Sequence, residues 1–333
     1  MDIRNTRQLK DFSAGRLANA REGQKIILYY SLLTIAAAAL SNVAGYLLNR
    51  QIAETGGLGS MGTRAVLTTV QTLLPFAQAL FLMCLNLGYV STMLRVARGQ
   101  YASPNGLRLG FDRFWVLLRC SILKGLIYGG IAMVSMYAAI MIYMVTPLSD
   151  SAVDILMPLI QSAGSSGQLG VTLDDATYAR LMSAMVPALV LCGLLFLILA
   201  APLFYKYRMT DYLIIDRPAS GAIAALRDSR KMMKGNCRKL VRLDLSMWWF
   251  YAAMLASTAV GYGDGILPAL GISLPLSGTA AYFVFLAAYL AAVFCVYYFL
   301  RNRVEVVYAL AYDSLRPQEP EEKGAVLGNI FQM

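Results

Sequence analysis

Not one histidine occurs among the 333 residues, which removes the commonest general base and the commonest neutral metal ligand. Charge is scarce as well. Asp, Glu, Lys and Arg make up 14% of the chain, against about 25% in soluble globular proteins. Cysteine is sparse, and the five present (Cys84, Cys120, Cys192, Cys237 and Cys295) stand singly in apolar or basic stretches. No pair has the spacing of zinc ligands or of a redox couple, so they read as small buried hydrophobes, with no metal site and no disulfide framework. The short alternating segments of an outer-membrane barrel are missing too.

What is abundant is apolar: 58% of the residues, gathered into blocks of about 20, the length a helix needs to cross roughly 30 Å of hydrocarbon. This predicts an all-α, polytopic transmembrane helical bundle with six spans, at about 26–48, 66–94, 125–145, 181–204, 243–260 and 278–300. Residues 1–315 are expected to form one six-span domain, and 316–333 a polar tail with Glu319, Glu321 and Glu322. The first apolar run is too long for a signal peptide and lacks a convincing small-residue cleavage site, so it reads as a retained span.

Lys and Arg place the ends, because cytoplasmic loops hold their excess. Every second connection is rich in them: Arg4 to Lys25, Arg95 to Lys124, Lys206 to Arg242 and Arg301 to Lys323. The others carry only Arg50, Arg64 and Arg180. Both termini are therefore expected in the cytoplasm, and the acidic connection from Thr146 to Arg180 outside. The same order of basic segment, outward span and returning span recurs over 1–94, 95–208 and 209–315, as a faint threefold repeat would.

The stretch Ala219 to Tyr262 concentrates the pattern. Ile223, Leu226, Met233, Cys237 and Leu240 fall at helical spacing, with Arg227, Arg230, Lys231, Lys234 and Arg238 on the other face. Such a helix lies in a membrane interface, cations toward headgroups, and each cation near an anionic leaflet is worth on the order of 1 kcal/mol. These five residues are the candidate anionic-lipid or partner-binding set, with plain topological anchoring as the bland alternative. Trp248 and Trp249 mark the step into the fifth span.

Other signals carry less. Lys124, Arg119, Asp244 and Glu305 stand at span ends, where Lys124 reaches the surface along its own stem and Asp244 pairs locally with Arg242, Lys239 and Arg238. Gly57, Gly59 and Gly62 spell GxGxxG, but no βαβ unit surrounds them. Gly125 and Gly129 make a small-xxx-small step suited to close helix packing. No acid–base or carboxylate pair is held at a fixed separation, so the chain is expected not to be an enzyme and to need no cofactor or metal. No nucleic-acid-binding pattern stands out.

Residues 205–249 resemble a bacterial integral membrane family, domain of unknown function 975. The likeness rests on Tyr205, Tyr207 and Tyr212, then Asp216 and Pro218, then Ala225, Ser229, Met232, Lys234 and Gly235, then Ser246 and Trp248. Arg98-Gly99 with Gly110-Phe111, and Tyr312-Asp313-Ser314-Leu315, resemble its earlier loop and closing motif. The resemblance implies a multi-pass protein of the cell membrane and no established activity. Two roles are compatible with these features. One is a non-enzymatic membrane-organising or partner-binding component. The other is a transport-related protein, either a permease for a neutral or amphipathic molecule or the membrane partner of an exporter.

Overall fold

A computed structural model describes residues 6–20, 22–54, 61–150, 153–155, 157, 175–263, 267 and 278–316. Gly57 and Gly59, most of the acidic connection and the tail beyond Arg316 lie outside the described residues. Among those described there is no strand. The chain forms α1 (Thr6–Asn19), α2 (Gly23–Glu54), α3 (Met61–Ala97), a 3-10 turn (Pro104–Arg108), α4 (Leu109–Asp112), α5 (Phe114–Val145) and α6 (Asp175–Tyr207). Then follow α7 (Thr210–Asp216), α8 (Ala222–Met233), α9 (Cys237–Ser246), α10 (Trp248–Gly261), α11 (Gly278–Val296), a π turn (Tyr297–Arg301) and α12 (Asn302–Leu315).

Five helical stretches are long and apolar enough to cross a membrane: Gly23–Glu54, Gly62–Ala97, Phe114–Val145, Ser183–Asp216 and Gly278–Leu315. They contain five of the six expected spans. Pro75 lies inside α3, and Pro187 and Pro202 inside α6, without ending either helix. The expected span at 243–260 is not one helix. Its first residues belong to α9, Met247 breaks the run, and α10 has 14 residues, about 21 Å at 1.5 Å per residue.

The chain divides into two compact units, residues 1–119 with 208–333, and residues 120–207. In the second, the Tyr143 hydroxyl donates to the Ala184 carbonyl at 2.7 Å. Its apolar side chains stay largely uncovered: Leu189, Leu194, Leu197 and Ile198 of α6 are each more than half exposed. Apolar surface this extensive belongs against another apolar medium, as expected of a membrane protein.

The first unit has a dense core, and α12 is its centre. Every residue from Val306 to Tyr312 is at most 8% exposed, so the helix is enclosed around its whole circumference. It packs on α1 and α3, while α3 packs on α2 and α10 on α11. Two glycines permit the closest backbone approaches. A Cβ on Gly88 would overlap the Leu107 carbonyl, and one on Gly110 the Cys84 carbonyl. The expected packing glycines, Gly125 and Gly129, have nothing within 4 Å of a Cβ position.

Candidate functional site: the charged face of α12

Arg301, Glu305, Tyr308 and Tyr312 recur at helical spacing, so one stripe runs along α12 from the π turn. Elements distant in sequence supply a partner to each. At the far end of the stripe stands Arg98, the last residue before a left-handed glycine. Gly99 (φ 72°) donates to the Val96 carbonyl and Gln100 to that of Arg95, which closes α3 in a Schellman turn and leaves Arg98 at its end.

The Arg98 guanidinium grips two carboxylates. Its Nη1 and Nη2 donate to the two oxygens of Asp216, each at 2.8 Å. Its Nε and Nη2 donate to Asp313 at 3.1 and 2.7 Å. The Asp216 hydrogen bonds, followed by those to Asp313, outweigh partial burial and push the Arg98 pKa above its ordinary value. Tyr312 donates to Asp216 at 2.9 Å, and Arg316 lies 3.5 Å from the same oxygen. Charge-assisted, two-pronged bonds of this sort fix geometry as well as charge. The ends of α3, α7 and α12 are thereby tied together.

Farther along the stripe Tyr212 of α7 donates to Glu305 at 2.7 Å and stacks on Tyr312, with ring centres 5.1 Å apart. Tyr308 donates to the buried carboxylate of Asp244 in α9 and shares a 2.8 Å hydroxyl contact with Tyr251 of α10. The Arg208 guanidinium lies over the Tyr308 ring at 4.5 Å. In the π turn Arg301 donates to Asn86 at 2.6 Å and sits among the rings of Tyr30, Tyr89 and Tyr297, at 4.8, 5.4 and 4.6 Å. Tyr89 in turn donates to Asn302 at 2.8 Å. A π turn inside a helix often marks a functional position; here it aims Arg301 at three tyrosines.

The cluster is electrically balanced, with Arg98, Arg208, Arg301 and Arg316 beside Asp216, Asp244, Glu305 and Asp313. Chemically it is a set of mutually satisfied donors and acceptors. Among the described residues no group of three or more His, Cys, Asp or Glu is placed to hold a metal ion.

The expected binding set lies elsewhere. Arg227, Arg230, Lys231, Lys234 and Arg238 are all exposed, but not on one continuous helix. Gly235 takes a left-handed conformation (φ 81°) and separates α8 from α9. Nor does the apolar face of this stretch lie open to lipid. Leu226 is 7% exposed and Met233 and Leu240 are 0% exposed, whereas Ile223 alone of that face is open at 71%. The protein core competes for an apolar stripe as well as a bilayer does, and here it wins. Asp244 also has a partner that the sequence did not suggest, Tyr308 from 64 residues away.

Of the positions carrying the family resemblance, the structure brings Asp216 and Tyr312 into one hydrogen bond and adds Arg98 and Asp313 to it. The Pro218 carbonyl accepts from Arg113 at 2.8 Å. Ser229 is buried, Met232 half-buried, Gly235 forms the turn and Trp248 opens α10 with 67% exposure. Arg208, Tyr308, Tyr251 and Asn302 escape sequence reasoning as site members. The 301, 305, 308, 312 spacing was the available signal for α12, but nothing local to α12 names its partners. No curated protein and no solved structure matches the chain. One family description does, protein of unknown function (DUF975), over residues 1–314, and the chain belongs to that family.

Proposed function

We propose that this is a non-enzymatic, six-span protein of the bacterial cell membrane with both termini in the cytoplasm. It organises that membrane or recruits a partner through the exposed cations of α8 and α9. The observation that carries this is the parity of the Arg98 clamp. Arg98, Asp216 and Asp313 touch, so they share one side of the membrane, and an even number of crossings separates each from the next. The sequence between Asp216 and Asp313 holds α11 as one long span, which supports a second crossing by the α10 segment. Neighbouring contacts support this. Tyr251 meets Tyr308, whereas a Cβ on Gly261 would come within 3.1 Å of Tyr289 and one on Gly263 would overlap Phe285. Thus α10 runs back along α11 toward its beginning.

The entry to α10 supports contact with headgroups. Exposed positions pass from Arg238 and Arg242 to Leu245, Trp248 and Leu255, the last three 68%, 67% and 73% exposed. Cation, then tryptophan, then aliphatic is the order of a helix entering a bilayer from its charged side. Ionised groups gather at the ends of α3 and α7 and along α9 and α12, and none lies between residues 26 and 48, 66 and 94 or 278 and 300. That favours the organising or recruiting role over a transport path. The test is photocrosslinking to phosphatidylglycerol in bilayer discs. Neutralising Arg227, Arg230, Lys231, Lys234 and Arg238 to Gln should lower labelling several-fold relative to a zwitterionic probe. Unchanged labelling, with unchanged capture of a cytoplasmic partner, removes the proposal.

A further inference from the structure

Between α1, the start of α2, the π turn and the start of α12 the surface opens into a groove of about 440 Å³. Phe299, 63% exposed, gives it an apolar wall over a floor at Ile27, which is only 1% exposed, and Ala18 on α1 keeps it open. Ile27 stands near the beginning of the apolar run of α2, and Phe299, in the π turn, near the end of the apolar run that starts with α11. The groove therefore lies at the level where both runs meet the headgroup layer. Its polar members are Gln24, Tyr298, Asn302 and Arg303.

Asn302 is the informative residue. Its amide oxygen accepts from Tyr89 at 2.8 Å, and Tyr89 is wholly buried and stacked on Tyr30 with ring centres 4.2 Å apart. The amide is thereby fixed with its oxygen turned inward, and its NH2 has no acceptor among the described residues. Next to it the exposed Arg303 guanidinium has no carboxylate within reach among the described residues, and no acidic residue lines the groove. An apolar trough edged by donors and a cation, with no anion in it, is complementary to a phosphodiester that carries hydrocarbon.

We infer that this groove is a binding site for one anionic phospholipid, its phosphodiester held by Asn302 and Arg303 and an acyl chain lying along Phe299. The site is separate from the exposed cations of α8 and α9, and it stands or falls independently of their proposed role.

The test is native mass spectrometry of the full chain, delipidated in detergent and titrated with phosphatidylglycerol. The wild type should retain one tightly held lipid. Arg303→Ala, and Asn302→Asp, which keeps an acceptor for Tyr89 but turns a second oxygen toward the phosphate, should each weaken retention about tenfold, the loss of one charge-assisted hydrogen bond. Ala18→Trp should abolish retention by filling the trough. A millimolar excess of free glycerol phosphate should not displace the lipid, and diacylglycerol should not replace it. Neutralising the five cations of α8 and α9 should leave this lipid in place. The inference is overturned if Arg303→Ala and Ala18→Trp both retain the lipid like wild type. It is equally overturned if glycerol phosphate displaces the lipid, or if retention is lost only on neutralising α8 and α9.

Discussion

Arg98 shows how much can depend on one side chain. Its planar fork meets two carboxylates at once, and Asp216 is only 8% exposed. Truncation would leave that carboxylate only Tyr312 and the more distant Arg316. Breaking a fully buried pair costs about 3–5 kcal/mol, and the loss is smaller here because those partners remain and Asp313 is 30% exposed. Arg98→Ala should therefore lower stability in detergent by about 2–3 kcal/mol, read from denaturant or thermal unfolding. Arg98→Lys should recover little of it, since an ammonium cannot span both partners. Recovery by Lys would show that charge alone matters. Tyr308→Phe removes a donor from buried Asp244 and should cost about 1–3 kcal/mol in the same measurement. Gly88→Ala sets a methyl against the Leu107 backbone and should prevent accumulation of folded protein, whereas Gly125→Ala, which meets nothing, should be silent. These residues also show where the sequence was readable. Arg98, Asp216, Tyr312 and Asp313 could each be picked out by family likeness. Their convergence could not be, because 118 and 215 positions separate Arg98 from its partners.

At the scale of elements, long helices were the legible part. Blocks of apolar residues at membrane length set α2, α3, α5, α6 and α11 because hydrocarbon forces every backbone group into an internal hydrogen bond. The basic stretch was legible only in part. Helical spacing revealed its two faces, yet the sequence could not say that the apolar one is covered by protein, since a core and a bilayer select the same residues. The break at Gly235 had a local signal, a glycine after basic residues as at many helix ends, but the periodicity ran on through it. Gly235→Ala places a methyl in open space at φ 81° and should cost about 1 kcal/mol from backbone strain alone. A much larger loss would mean that the turn does more than join α8 to α9. Lys10 of α1 donates to the Ser246 carbonyl at 2.6 Å, a cation at the C-terminus of α9, where such charges are worth about 0.3–1 kcal/mol.

For the molecule as a whole, the structure moves the organising element from the basic stretch to α12. The sequence drew attention to the region with the most visible charge, while the charges with partners are the ones that gather the chain. Four arginines and four acids lie around α12, and their contacts hold the ends of α3, α7 and α12 together. In the proposed topology this clamp puts those ends on one face of the membrane and asks the α10 segment for a sixth crossing.

The most direct test is impermeant maleimide labelling of single cysteines in intact cells, in a chain whose own five cysteines have been replaced. Cysteines placed at Ser220 and Ser314 should label only after permeabilisation, and one at Ser273 should label at once. Labelling of Ser314 from outside while Ser220 stays protected would mean five crossings, and would contradict the clamp on which the account rests.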